Sequence, residues 1–367
     1  MNTMKLKKPT LLLDKEKCIR NIQRMKAKAD KSEVRPRPHF KTHQSAAVGR
    51  WFKEAGVSAI TVSSVTMAGN FVSDGWQDIT IAFPVNIAEI DDINQLANQI
   101  NLNLLVENKE AVEFLADKLK YKTGIYLKID SGYHRTGVPV DDHQSIFNLI
   151  REVQGYPIMQ FKGLLVHNGN TYNASSTEDI INIHQNSQIE LGRLKAFLWG
   201  HRINPELSLG DTPAMSVVEN FEGIDEIRPG NFVFYDVMQA ELGSCTYGDI
   251  AVALACPVVA KHPERMEIVI YGGAIHLSKD FITGKDGNPI YGKIVMLNKD
   301  GWSDVMPGTY VKSLSQEHGI IKTEIGFFEK VKIGDFIGVL PIHSCLTVCQ
   351  MREYFTFDGK RIGTMNG

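Results

Sequence analysis

The sequence predicts a (β/α)8 barrel followed by a smaller, mostly antiparallel β domain. Through the first two thirds of the chain, short apolar runs alternate with helical stretches, and from about residue 245 the sequence becomes β-rich. The 367 residues are also too many for one ordinary core, so two domains are expected. We expect the barrel at 20–243 and the β domain at 244–367 together with 1–19.

Eight apolar runs have the length and composition of buried parallel strands. They are RPHFK (37–41), AITVSS (59–64), ITIAFP (79–84), NLNLLV (101–106), GIYLKID (124–130), FKGLLVH (161–167), ELSLG (206–210) and EIRPGNFVFY (226–235). The helical stretches between them are 19–32, 87–100, 108–120, 142–155 and 176–200. Eight such strands favour a closed barrel. An open doubly wound sheet has the same alternation and stays an alternative.

The β domain is predicted from shorter runs separated by turn sequences such as KDGNP and NKDG. The runs are 251–262, 266–274, 292–297, 309–315, 319–324 and 335–343. The N-terminal segment PTLLLD is a further candidate strand of this domain.

Composition excludes several classes of function. The net charge is −2 and the basic residues are scattered, so no nucleic-acid partner is expected. No apolar run is long enough to span a bilayer or to form a secretory signal core, so we expect no membrane partner and a cytoplasmic location. The five cysteines are odd in number and irregularly spaced, which indicates reduced thiols rather than a disulfide framework.

Chemistry-bearing residues follow the predicted strands, where barrel enzymes place their active sites. Lys41 closes the first run and is either a Schiff-base lysine or, as is commoner, a surface lysine. Arg135 lies in a glycine-flanked loop and can bind an anionic oxygen or simply be solvated. His167 and Tyr172 follow the sixth run, where a core histidine and rim packing are the alternatives.

Two glycine-containing turns follow the last two predicted strands, where barrels often bind phosphate. Their candidate phosphate donors are Gly210, Thr212, Gly230 and Asn231. In the β domain, His343 and Cys345 are two residues apart and would face one side of a strand. They can share a metal ion with open positions, or be a strand histidine beside a buried cysteine. Glu317 and His318, in a predicted turn, are further candidates for the same cleft.

These clusters, in this order, resemble the D-threonine aldolases and eukaryotic-type D-serine dehydratases, which are alanine-racemase-like pyridoxal-phosphate enzymes. The matching pieces are RPHFKTH, DSGYHRTG, HNGNTY, GDTPA, EIRPGNFVFYD, QEHG and PIHSC. The resemblance implies a barrel followed by a β domain, usually in a homodimer. It implies a lyase of D-β-hydroxy amino acids, with D-serine dehydratase favoured by the His-x-Cys pair and D-threonine aldolase as the alternative. A racemase and a non-catalytic cofactor carrier are weaker alternatives.

The resemblance also implies roles for single residues. Lys41 would hold pyridoxal phosphate as a Schiff base, Arg135 would contact its phenolic oxygen side, and Tyr172 would lie beside its ring. The other implied cofactor contacts are His167, Gly210, Thr212, Gly230 and Asn231, with Arg228 near the pyridine nitrogen. His343 and Cys345 would bind a divalent metal, and the thiolate favours zinc.

Three segments depart from the family pattern. GNTY stands at 169–172 where the family often has GHSY, and Leu346 replaces the proline usual after the metal cysteine. Asp211 lies inside the phosphate motif, where a carboxylate would repel phosphate unless it points away. Its role stays open at this point.

Overall fold

The structure is a computed structural model that describes residues 6–365. The chain divides into two compact units. The barrel unit comprises 23–41 and 49–230, and the β unit comprises the described parts of 1–22, 42–48 and 231–367. Among the helices of residues 6–365, none combines the length and apolar character needed to cross a membrane.

The strands and helices of the described residues are numbered in chain order. The strands are β1 (Thr10–Leu13), β2 (Arg35–Pro36), β3 (Ile60–Val62), β4 (Asp78–Pro84), β5 (Asn101–Val106), β6 (Thr123–Asp130), β7 (Val138–Pro139), β8 (Met159–Val166), β9 (Glu206–Leu209), β10 (Glu226–Ile227), β11 (Val252–His262), β12 (Glu267–Tyr271), β13 (Ile282–Thr283), β14 (Pro289–Ile290), β15 (Gly292–Met296), β16 (Tyr310–Leu314), β17 (His318–Lys322), β18 (Phe336–Pro341), β19 (Glu353–Thr356) and β20 (Arg361–Gly363). The helices are α1 (Lys15–Lys31), α2 (Ala46–Glu54), α3 (Val65–Ser73), α4 (Ile90–Ala97), α5 (Lys109–Lys118), α6 (His143–Gln154), α7 (Thr177–Gly200), α8 (Thr212–Val217), α9 (Val237–Glu241), α10 (Ala274–Leu277), α11 (Ile325–Lys330) and α12 (Ser344–Met351).

The barrel unit contains a parallel sheet in the order β2-β10-β9-β8-β6-β5-β4-β3. The chain beyond β2 then bridges to β3, because His39 pairs in parallel with Thr61. The Phe40 amide donates to the Thr61 carbonyl, and the Thr61 amide donates to the Pro38 carbonyl, at 2.9 Å each. The sheet therefore closes into the predicted eight-stranded barrel, and the open-sheet alternative is wrong.

The β unit contains a nine-stranded sheet in the order β12-β17-β16-β15-β18-β11-β1-β19-β20. Its pairs are antiparallel except that of β1 with β19. β12 also pairs with β11, so the six strands from β12 to β11 in this order form a closed ring. Antiparallel β1–β11 pairing confirms that PTLLLD supplies a strand to this domain.

Three predicted strands are wrong in extent. The run 37–41 follows a two-residue strand and leaves Lys41 in a turn, because Pro36 and Pro38 have no amide to donate to β3. The run 226–235 is a strand only at β10, since Pro229 and Gly230 end it and a 3-10 turn follows. The run 335–343 ends at Pro341, so His343 is the residue before α12 rather than part of a strand.

An aromatic cluster anchors the chain just before Lys41. The Phe40 ring is fully buried, and its centroid lies 5.0 Å from that of Phe52, 5.0 Å from Phe71 and 5.1 Å from Trp76. Such ring pairs contribute about 0.5–1.5 kcal/mol each beyond the area that they bury. The residue before the candidate lysine therefore has a fixed position in the barrel wall.

A buried charged group crosses the seam between β2 and β10. The Glu226 side chain is fully buried, and its Oε2 accepts hydrogen bonds from Arg37 Nε at 2.6 Å and Arg35 Nε at 2.8 Å. Its other oxygen, Oε1, accepts from Ser208 Oγ at 2.6 Å. Burial opposes ionisation of Glu226, but the two arginine charges outweigh it and hold the pKa of this carboxyl below its usual range.

We predict that Gly163→Ala destabilises the protein, because an added Cβ on β8 would lie 2.1 Å from the Glu206 carbonyl oxygen on β9. Overpacking of this kind costs about 1–3 kcal/mol. Gly192→Ala, within α7, is the control: its Cβ meets nothing within 4 Å, and alanine stabilises a helix interior by about 0.5–1 kcal/mol. Urea midpoints that fall for both variants, or for neither, would contradict this packing argument.

Candidate active site

The carboxyl ends of the barrel strands bring four predicted residues near the imidazole of His39. Burial lowers the pKa of His39 well below its usual range, and the proximity of Lys41, Arg228, His167 and Arg135 makes a positive charge on its ring still less favourable. These four side chains therefore act on the same imidazole, although the sequence distributes them over four separate motifs. The result is a positively charged barrel mouth, which suits an anionic ligand.

Lys41 lies in a turn at this mouth, directly after the buried Phe40 ring. Its side chain is exposed, and its backbone amide donates to His39 Nδ1 at 3.3 Å. A fixed backbone with an accessible amine fits a lysine that must react with an aldehyde from solution.

His167 and Tyr172 come together with the first phosphate motif. His167 Nδ1 donates to the Gly210 carbonyl at 2.5 Å, and burial lowers the pKa of this imidazole to about 3, so it is neutral. Its ring centroid is 6.2 Å from that of Tyr172. The Tyr172 hydroxyl accepts a hydrogen bond from the Thr212 amide at 3.2 Å. The residues of the HNGNTY and GDTPA motifs thus form one structural group.

Asp211 has a structural task that explains its presence in the phosphate motif. It is the N-cap of α8, where its Oδ1 accepts from the Ala214 amide at 2.7 Å and from Thr171 Oγ1 at 3.1 Å. Burial raises the pKa of this carboxyl to about 7. An aspartate before a helix start is a capping signal, so this role could have been predicted from the sequence.

Arg228 is buried beneath the second phosphate motif. Its Nε donates to Ser208 Oγ at 2.7 Å, and its Nη2 donates to the carbonyls of Val166 and Ser208. Burial lowers the pKa of its guanidinium to about 10, although the Glu226 charge opposes this. A Cβ at Gly210 would lie 2.8 Å from the Arg228 Cβ. The glycine of GDTPA therefore makes room for this arginine.

The Arg135 loop is shaped by an aspartate that sequence reasoning did not use. Asp130 Oδ1, at the end of β6, accepts from the amides of three loop residues at 3.0 Å each, and these are Gly132, Tyr133 and His134. The Arg135 guanidinium carbon then lies 5.2 Å from the Tyr133 ring centroid. Glycine is needed at Gly169, because an added Cβ would lie 2.3 Å from that ring.

Lys128 is a second residue that sequence reasoning missed. It lies on β6 with 5% of its surface exposed, and its ammonium donates to the Ile129 carbonyl at 2.6 Å. Burial, with a further contribution from the Arg228 charge, lowers the pKa of this amine to about 7. A lysine inside the otherwise apolar run GIYLKID was the available signal.

The β unit holds the predicted metal pair at the start of α12. His343 precedes the helix and Cys345 lies in its first turn, so the predicted strand geometry of the pair is wrong. His343 Nδ1 hydrogen-bonds to Asp280 Oδ2 at 2.9 Å. Burial opposes a charge on this imidazole, but hydrogen bonds to Asp280 and Cys345 outweigh it and raise its pKa to about 11.

The cysteine of the pair contacts two side chains of the same unit. Cys345 Sγ donates to Thr42 Oγ1 at 3.3 Å, and Asn231 Nδ2 lies 3.6 Å from the sulfur. Asn231 Nδ2 also donates to Asp236 Oδ2 at 2.7 Å and to Ser344 Oγ at 3.0 Å. The amide side chain of the predicted phosphate ligand Asn231 is thus directed to the metal pair, which leaves its backbone amide as the phosphate candidate.

Within residues 6–365, no group of three or more histidine, cysteine, aspartate or glutamate side chains is arranged to hold a metal. Glu317 precedes β17 and His318 begins it. The charge of Glu317 acts to raise the pKa of His276, although burial lowers that pKa overall. They do not complete the pair. An imidazole and a thiol alone leave positions open for water or substrate, as catalytic rather than closed structural metal sites do.

Two family models match successive parts of the chain. Residues 13–237 match the family "Alanine racemase, N-terminal domain", and residues 251–357 match "Putative serine dehydratase domain". The D-serine dehydratase of Dictyostelium discoideum is 30% identical over 362 residues, covering 92% of this chain and 90% of that one. D-threo-3-hydroxyaspartate dehydratase from Delftia sp. HT23 is 26% identical, with a TM-score of 0.91 and coverage of 99% of this chain and 98% of that one.

Two further comparisons bear on the fold and the metal. D-threonine aldolase from Filomicrobium marinum shares the fold, with a TM-score of 0.83 at 20% identity over 98% of this chain and 94% of that one. The Delftia enzyme has also been solved as a cysteine-to-alanine variant in a metal-free form and as a histidine-to-alanine variant. The two substituted positions of that enzyme are two residues apart, with the histidine first.

We predict that Asp211→Asn flattens the dependence of stability on pH between about pH 4 and 7. The pKa of this carboxyl is about 7 in the folded protein and about 3.9 in an unfolded chain. The folded protein therefore holds a proton that the unfolded chain has lost, so this contribution is complete below about pH 4 and is lost as the pH rises to about 7. Asparagine still caps the helix but does not titrate.

The measurement is the free energy of unfolding of the cofactor-free protein at several pH values. Asp300→Asn, which changes an exposed carboxylate in the β unit, is the control and should keep the wild-type slope. Equal slopes for wild type and Asp211→Asn would show that this buried carboxyl does not link folding to pH.

Proposed function

The chain belongs to the alanine-racemase-like family that includes the D-serine dehydratases, and from that premise we propose that it converts D-serine to pyruvate and ammonia. It is a pyridoxal-phosphate-dependent lyase of D-β-hydroxy amino acids. The His343–Cys345 pair is the observation that favours a dehydratase over an aldolase. The pair lies in a chain that is 30% identical to a D-serine dehydratase along nearly its whole length.

The barrel mouth fits the cofactor in charge and in donor groups. Lys41 would carry the cofactor covalently, and Arg135, His167 and Tyr172 would line its ring and phenolic oxygen. The other cofactor contacts proposed are Gly210, Thr212, Gly230 and Asn231 for the phosphate and Arg228 for the pyridine nitrogen. When bound, pyridoxal phosphate supplies an electron sink for the pair of electrons left at the substrate Cα.

The metal proposed for His343 and Cys345 is a divalent ion, and zinc suits the soft thiolate best. Such an ion supplies Lewis-acid stabilisation of a departing hydroxide. The variants of the Delftia enzyme support this assignment, because a metal-free form accompanies loss of a cysteine that follows a histidine at the same spacing. By family resemblance we also propose a homodimer, which sedimentation velocity would test.

The residues of the chain then have distinct tasks in the elimination. The Lys41 amine takes the proton from the substrate Cα. Neutral His167 has its Nδ1 proton committed to Gly210, which leaves Nε2 as a hydrogen-bond acceptor. Arg135 and the buried Arg228 contribute positive charge that attracts the substrate carboxylate and the cofactor phosphate alike.

D-threonine aldolase is the second candidate function, and it differs in the bond that breaks. Retro-aldol cleavage breaks Cα–Cβ and gives glycine and an aldehyde, whereas dehydration breaks Cα–H and Cβ–O. The discriminating experiment incubates the holoenzyme with D-serine and, separately, D-threonine. Pyruvate from D-serine supports the dehydratase, while glycine and acetaldehyde from D-threonine without pyruvate from D-serine would replace it by the aldolase.

We predict that Lys41→Ala lowers kcat for D-serine by at least about a thousandfold, because it removes both the covalent attachment and the base. Borohydride reduction of the wild type, followed by peptide mapping, should place the label on Lys41. Lys120→Ala, at an exposed position outside the mouth, is the control. A label on another lysine, or wild-type turnover by Lys41→Ala, would overturn the assignment.

We predict that Cys345→Ser and chelation each lower the rate of D-serine elimination by at least about a hundredfold. The yellow colour of the bound pyridoxal phosphate should persist, because the cofactor site is unchanged. The leaving hydroxide would lose Lewis-acid stabilisation worth several kcal/mol, and each 1.36 kcal/mol is about tenfold in rate. Cys349→Ser, an exposed cysteine in the same helix, is the matched control. Undiminished pyruvate formation by Cys345→Ser would remove the metal from the reaction.

A further inference from the structure

We propose that Asp280 is the positioning residue of the metal site, because it fixes the tautomer and orientation of His343. This inference rests on the proposed metal-binding role of the His343–Cys345 pair. It adds a residue that lies 63 positions before the histidine in the sequence and belongs to no motif of the chain.

The hydrogen bond between the two side chains determines which nitrogen faces a metal. Asp280 Oδ2 lies 2.9 Å from His343 Nδ1, and an ionised carboxylate can only accept. The proton on this hydrogen bond therefore belongs to Nδ1. A cation that binds the imidazole must therefore take the lone pair of Nε2.

The Asp280 carboxylate contacts His343 at the ring nitrogen opposite the one left for a metal. Its side chain is 38% exposed and that of His343 is 34% exposed. Within residues 6–365, no three-residue ligand cluster includes Asp280 with the pair. A carboxylate that orients a metal-binding histidine through the other ring nitrogen is a common arrangement, and its removal weakens metal binding about 10–100-fold.

The rest of the pair is held by a separate group of contacts. Asp236 is 1% exposed, and its Oδ2 accepts from the Ser344 amide at 3.0 Å and from Asn231 Nδ2 at 2.7 Å. These bonds fix the residue between the two ligands and bring the Asn231 amide to the sulfur. Asp280 is therefore the carboxylate that hydrogen-bonds the imidazole, while the bonds of Asp236 to the Ser344 amide and of Cys345 to Thr42 do not involve Asp280.

The test measures the affinity of the full-length holoenzyme for Zn²⁺ by competition with a chromophoric chelator. Asp280→Ala is expected to weaken Zn²⁺ binding about 10–100-fold, with the melting temperature and cofactor absorbance unchanged. The Co²⁺-substituted variant should keep its thiolate-to-cobalt charge-transfer band, because Cys345 still binds. Asp300→Asn is the control for loss of a carboxylate from the same unit.

A double-mutant cycle separates orientation of the histidine from a general effect of charge. In a His343→Ala background, Asp280→Ala should cause no further loss of affinity, because the ring that it orients is gone. An equal loss in both backgrounds, or wild-type affinity of Asp280→Ala beside a weakened His343→Ala, would overturn the role of Asp280. Wild-type affinity of both His343→Ala and Cys345→Ser would instead overturn the metal pair itself.

Discussion

The ion pair between Arg37 and Glu226 is the constraint on which the barrel depends. Glu226 is fully buried on β10 and Arg37 follows β2, so the pair lies at the seam where the first and last strands meet. A buried carboxylate is tolerated only when charge and hydrogen bonds compensate its lost hydration. Glu226 also pairs with Arg35 and Arg37 also pairs with Asp78, so the charges at this seam compensate one another as a group, which favours a single register for closing the barrel.

This register determines where the chemistry is placed. Prolines at 36 and 38 reduce the hydrogen bonds available to the first strand, so the arginines and the Phe40 ring hold the segment that leads to Lys41. On the other side of the seam, Ser208 connects Glu226 with Arg228. One hydrogen-bonded network therefore connects the ion pairs at the β2–β10 seam to Arg228, one of the cationic groups at the barrel mouth.

Sequence patterns predicted the interior strands well because those strands are rich in apolar, mostly buried residues, as in β5, β6 and β8. They failed at 37–41, 226–235 and 335–343, where prolines and a glycine end strands that apolar character alone would extend. Motifs gave the candidate lysine and the His-x-Cys spacing. Asp280 could not be found this way, because its relation to His343 exists only after segments distant in sequence have folded together.

The boundaries between the two units cut through the motifs themselves. Lys41 belongs to the barrel unit and Thr42 to the β unit, and the same division falls between Gly230 and Asn231. Each PHFKTH or RPGN motif thus contributes to both units at once. Recombination that exchanged one unit for that of a distant homologue would have to split these motifs. We therefore expect the sequences of the two units to have been inherited together and to have diverged together.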